Sequence, residues 1–146
     1  MTADPLWACQ MHEADAIDAE SGIRAVLDSL ERAYFKGVDA GAILDLMYEG
    51  DVIVVGDGDV SATRGKPALE DKARSMSASM GAHPKVTFTI TAPIQACGDT
   101  AVTMIGAVLH PDVPDAQAMH SRILAGWRKG PAGWRICLEM YADGQP

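Results

Sequence analysis

Residues 50–59 read GDVIVVGDGD, setting Asp57 and Asp59 among glycines directly after a run of β-branched residues. Carboxylates and glycines at this spacing could cradle a phosphate, hold a metal, act as a base or simply turn the chain. A dinucleotide loop needs a third glycine and a helix to follow, so that backbone amides and the helix N-terminus meet the pyrophosphate. Here Ser61 stands in the third position and strand-forming residues come next. A calcium loop needs more oxygen ligands than two aspartates supply, and helices on both sides. Two readings remain: a tight hairpin, for which Asp-Gly is a strong signal, or a general base at Asp57.

The other groups able to do chemistry are sparser. His110, Asp112, Asp115 and His120 bracket one loop, but HPDVPD carries two prolines and no ligand pair on a regular element, so a solvated loop is expected and no metal site. Asp99, in CGDT, reads as a turn residue. Cys9, Cys97 and Cys137 are odd in number and widely separated, which favours buried or incidental thiols over a disulfide framework or zinc site. Tyr34 lies on the apolar face of a helix, either as a core aromatic or as a hydrogen-bond donor reaching a cavity.

The elements that must position these groups follow from periodicity. Residues 1–20 lack a clear period and read as an N-terminal arm; residues 21–146 read as a single domain. Ile23, Val26, Leu27, Leu30 and Tyr34 recur at helical spacing between an N-cap at Ser21 and a breaker at Gly37. A short helix is predicted from about Asp39 to Tyr48, then a buried strand, VIVVG, paired with DVSATRG across the GDGD turn. Asp51, at the junction, is expected to cap or end the helix. Pro67 suits the first turn of a third helix that stops at Gly81. Four strand-like runs complete the chain, VTFTITAPIQ, AVTMIGAVLH, MHSRILAGWR and WRICLEMYA. Segregated helices followed by an antiparallel meander predict an α+β fold with helices on one face of a curved sheet.

Composition narrows the partners. With 146 residues, 48% of them apolar, the chain can bury one core. A net charge of -8 disfavours nucleic acid, whose binding rests on Lys and Arg neutralising phosphates. No apolar run is long enough to span a membrane, and the N-terminus lacks a basic-then-apolar signal, so a cytoplasmic protein is expected.

Several stretches, in this order, carry a family resemblance: LDLMYEGDVIVV, where a helix runs into the first strand; RGKPAL, opening the third helix; and GWRKGPAGWRI, the closing hairpin. From roughly Ser21 to Ala142 the chain resembles the nuclear transport factor 2-like superfamily, and within it the SnoaL-like proteins that include ketosteroid isomerase. The resemblance implies a cone, a bent sheet wrapped around three helices as a cystatin-like α+β barrel, with an apolar cavity open at one end. It also implies a homodimer through the outer sheet face, a small apolar ligand and no cofactor. Scaffolds of this kind serve isomerases, cyclases and dehydratases as well as non-catalytic modules, so fold alone does not assign function.

For the site, the resemblance implies a carboxylate base at the far end of the first strand, which aligns within one residue of Asp57. It also implies a helix tyrosine about one turn before Tyr34, near Glu31, and a protonated aspartate around Ile123 to Ala125, where this chain has no acid. Relatives with a His-x-His pair after GWRI correspond here to Leu138, Glu139 and Met140, so that acid–base site is expected to be lost. Strand alternation puts Met119, Ile123, Ala125 and Trp127 inward and His120, Arg122 and Arg128 outward; an inward His120 would be a third catalytic candidate. Trp127 and Trp134 are expected to close the narrow end. Tyr48, Met76, Met104, Trp127, Leu138 and Met140 are the expected ligand contacts. The function expected is binding of an apolar carbonyl compound, with isomerase- or lyase-type acid–base chemistry by Asp57 and Tyr34 if the protein is an enzyme. The alternative is a non-catalytic ligand-binding or dimeric assembly module.

Overall fold

A computed structural model describes residues 12–144. Three helices, α1 (Glu13–Lys36), α2 (Ala40–Met47) and α3 (Lys66–Met80), accompany seven strands: β1 (Tyr48–Val55), β2 (Thr63–Arg64), β3 (Lys85–Ile90), β4 (Gln95–Cys97), β5 (Thr100–His110), β6 (Met119–Gly130) and β7 (Gly133–Asp143). The sheet runs β2-β1-β7-β6-β5-β3, with β4 also paired to β5, and stays open between β2 and β3. It is mixed: β1 and β7 run parallel, and every other pair is antiparallel. This is the expected α+β arrangement, with α1 lying against β3, β4 and β7.

Helix α1 begins well before Ser21, which lies in its interior. Its first turns are held by tertiary contacts that local propensity does not reveal. Asp15 accepts a hydrogen bond from Gly98 N at 3.1 Å, Lys129 reaches Asp18 at 3.0 Å, and Ala19 is buried. The residues before 12 lie outside the described part, Cys9 among them. Cys97 is disulfide-bonded, against the expectation of incidental thiols, whereas Cys137 is a free thiol. Gly37 ends α1 in the left-handed conformation at φ 69°. Asp39 then caps α2 by accepting from Gly41 N at 3.0 Å.

The β1–β2 connection is wider than a tight hairpin. Ile53 pairs with Arg64 and Val54 with Thr63, leaving residues 56–62 as a loop. Within it, Gly56 to Asp59 form a turn, with Asp59 N donating to Gly56 O at 3.1 Å, Gly58 at φ 79°, and Gly56 N donating to Asp59 Oδ2 at 2.7 Å. GDGD therefore does turn the chain. Residues 111–118 form the loop that sequence predicted, and Asp112 ties it to the end of α3 through Met80 O and His83 N. Among the described residues no helix is long and apolar enough to cross a membrane.

The strand that organises the interior is β7. Trp134 and Ile136 point inward, and strict alternation would continue with Leu138 and Met140. The β6–β7 register breaks at this point, however. Trp127 pairs with Ile136, yet its neighbour Gly126 pairs with Leu138, so Cys137 is one extra residue on β7. Such a bulge transfers every later side chain to the opposite face. Glu139 thereby turns inward and is buried, while Leu138 and Met140 stand exposed outside.

Candidate functional site: a buried carboxylate in an apolar cavity

The inner face has two ends. At one, Ala125 and Trp127 of β6 and Trp134 and Ile136 of β7 are packed solid, and Trp127 satisfies its indole by donating to Thr103 Oγ1 at 2.9 Å. At the other, beyond the bulge, the space between helices and sheet holds a cavity of about 480 Å³, within the range of small-molecule sites. Apolar side chains dominate its wall, among them Ile43, Leu44 and Met47 of α2, Leu69 of α3 and Phe88 of β3. Polar groups converge on it from α1 (Tyr34), the start of β1 (Tyr48) and the end of β7 (Glu139, Tyr141).

Glu139 is the centre of this group. Its Oε2 accepts a hydrogen bond from the Tyr48 hydroxyl at 2.9 Å. Its Oε1 is the one buried side-chain oxygen or nitrogen without a partner among the described residues. Burial disfavours the charged form, so the carboxyl is pushed up to about 7 even though the Tyr48 hydrogen bond draws it back. The phenols respond in kind. Burial, then the nearby Glu139 charge, pushes Tyr34 up to about 12 and raises Tyr48 well above its ordinary value. Tyr141 is raised first by burial and then by Asp59, Asp143 and Glu139. Around neutral pH the site thus presents neutral phenol donors beside a carboxyl poised between its two forms.

Among the expected site residues, Tyr34, Tyr48, Met76 and His120 line this cavity. Alternation favoured the outer face for His120; it stands half-buried in the cavity wall, near the start of β6, where Met119 and Ser121 also contribute. Arg122 and Arg128 do face outward. Asp57 does not reach the cavity. It is exposed at the turn of residues 56–59, because the loop carries it past the end of β1. Met104, Leu138 and Met140 are exposed on the outer sheet face, Met104 through ordinary alternation on β5 and the other two through the bulge. Trp127 is buried in the packed end and forms no part of the cavity wall. Glu31, near which the resemblance placed a tyrosine, anchors the sheet edge by accepting from Phe88 N at 2.8 Å.

Glu139 was missed because its neighbours fit an apolar inner face. One signal was available: an acid inside an otherwise apolar strand, followed two residues on by Tyr141 on the same face.

Helices over one face of an open mixed sheet, enclosing a cavity at one end, define the cystatin-like fold of nuclear transport factor 2-like proteins. Solved structures agree. An NTF2-like protein from Novosphingobium aromaticivorans superposes at TM-score 0.66 with 22% identity, covering 87% of this chain and 82% of its own. A ketosteroid isomerase-like protein from Erwinia carotovora atroseptica gives 0.65 with 18% identity, covering 92% and 100%. A proposed aromatic ring hydroxylase from Novosphingobium aromaticivorans gives 0.67 with 19% identity, covering 94% of each chain. By sequence the chain matches no family model and no curated protein. At these identities the likeness is one of fold.

Proposed function

We propose that this chain binds a small, apolar carbonyl compound in the cavity and transfers a proton on it, with Glu139 in the role that the sequence offered to Asp57. The observation that carries this reading is the partnerless Oε1 of Glu139, held at the wall of an apolar cavity. A buried acceptor left unpaired is costly, and a ligand hydrogen would relieve it. Glu139 Oε1 takes the proton from the carbon next to the carbonyl, and the electron pair of that C–H bond moves to the carbonyl oxygen as the enolate forms. The Tyr34 hydroxyl donates to that oxygen as its charge develops. Where the carbonyl compound carries a β,γ double bond, the enolate is a dienolate. Returning the proton to the γ-carbon then moves that double bond into conjugation and completes an isomerisation with no cofactor. Tyr48 occupies Oε2 and leaves Oε1 as the carboxyl oxygen without a partner, the one able to take the proton.

The test is deuterium exchange at the α-carbon of apolar ketones in heavy water, followed by proton NMR. Acceleration by the native protein and its loss in Glu139→Gln are expected. Equal exchange with and without protein would leave a ligand-binding protein without this catalysis.

A second reading concerns assembly. Val102 and Met104 of β5, Leu124 of β6 and Leu138 and Met140 of β7 are each at least 41% exposed and adjacent in register on the outer face. An apolar patch on a sheet face of this kind supports a homodimer. Sedimentation is expected to give a dimer for the native chain and a monomer for Leu138→Asp; a native monomer would overturn it.

A further inference from the structure

A second space adjoins the cavity. It measures about 320 Å³ and lies where the end of α1, the start of α2 and the later turns of α3 meet. Tyr34, Ala40, Ile43, Ser77 and Met80 line both spaces, so the two share a wall. Small residues keep the helices from filling the gap: Gly37, Ala40, Ala78 and Ala82 all contribute wall. Gly37 allows the closest approach, since a Cβ there would come within 2.7 Å of Ala82 O. Met80, an unbranched and adaptable side chain, forms part of the shared wall.

The charges beside this slot are already partnered. Arg74 pairs with Glu70, and Asp39 caps Gly41. The slot therefore offers room to a ligand without asking it for a charge. We propose that the ligand is elongated: its carbonyl end lies at Glu139, and an uncharged, unbranched alkyl tail passes Tyr34 and Met80 into the slot between α1, α2 and α3. The tail assignment rests on the Glu139 reading for its head group, but the two fail separately.

The experiment is calorimetric titration with a series of methyl n-alkyl ketones, with cyclohexanone as a compact probe. Once the chain outgrows the main cavity, affinity is expected to keep rising about three- to fourfold per added methylene, the gain typical of burying one such group. Ala78→Phe and Ala82→Phe, both at exposed positions that line only the slot, are expected to flatten that rise and leave cyclohexanone binding unchanged. A native affinity that stops rising at short chains, or an undiminished rise in both variants, overturns the tail assignment. Glu139→Gln weakens short and long ketones alike and leaves the slope, so a failure at the head group is read in a different column of the data. Absence of binding by every ketone, cyclohexanone included, overturns head and tail together.

Discussion

The two ends of β7 are built by the same device and put to opposite uses. At Gly22 of α1 a Cβ would collide with the Trp134 ring, and at Gly56 of the β1–β2 loop a Cβ would collide with the Tyr141 phenol. Each glycine gives its space to an aromatic of β7. At the first end Trp134 joins Trp127 and Ile136 in a packed core where the Trp127 indole donates to Thr103. At the second, Tyr141 stands beside Glu139 in a cavity wall where Oε1 has no partner. One extra residue, Cys137, separates the two regimes. The difference teaches that a side chain's role in this sheet is set by register before it is set by residue type.

The largest expected effect falls at the open end. Glu139→Gln keeps the shape and the Tyr48 contact but removes the base, so any proton transfer should fall by about a hundred- to ten-thousand-fold, the usual worth of a positioned acid–base group. Exchange rates measured by NMR check it. At the packed end the loss is one of stability. Trp127→Ala should cost about 3 to 5 kcal/mol in urea unfolding, by cavity formation and by leaving Thr103 unpaired, whereas the same experiment on Glu139→Gln should show no comparable loss.

A pH dependence distinguishes the ends next. The Glu139 carboxyl titrates near 4.5 in its ordinary state and is held at about 7 in the fold. Its contribution to stability is thus fully present below the lower value and is lost as pH rises through the upper one. Between about pH 5 and about pH 8 the native chain should lose roughly 2 to 3 kcal/mol relative to Glu139→Gln, in which the group is absent. Parallel unfolding curves at the two pH values check this, since every other carboxyl cancels in the difference. The smallest effect belongs to Asp57. Exposed at its turn, Asp57→Asn should change stability by less than about 0.5 kcal/mol and leave exchange rates unaltered; a large loss of exchange would restore Asp57 as the base.

Much of the fold was legible because its signals are local. Gly37, Asp39, Pro67 and Gly81 punctuate the helices where the structure starts and stops them. The turn at GDGD and the loop after His110 fall where sequence placed them. The parts that were not legible depend on partners far along the chain. Helix α1 extends back to Glu13 because Gly98 and Lys129 hold its first turns. The bulge at Cys137 is a property of the β6–β7 pair, so alternation continued from Trp134 and Ile136 put Leu138 and Met140 inside and Glu139 outside. That single slip explains the misplacement of Leu138 and Met140, whereas Met104 follows the ordinary alternation of β5 and Trp127 belongs to the packed end. Tyr34 and Tyr48 line the cavity from α1 and the start of β1, ahead of the bulged part of β7.

The central claim is that Glu139 lies inside, unpaired on one oxygen and beside an open cavity, and the most direct measurement is a carbon NMR titration of its side-chain carboxyl. The account predicts a midpoint near 7, displaced when a ligand occupies Oε1. A midpoint in the ordinary glutamate range, about 4.3, and indifferent to ligand would mean that the carboxyl faces water, and would contradict it.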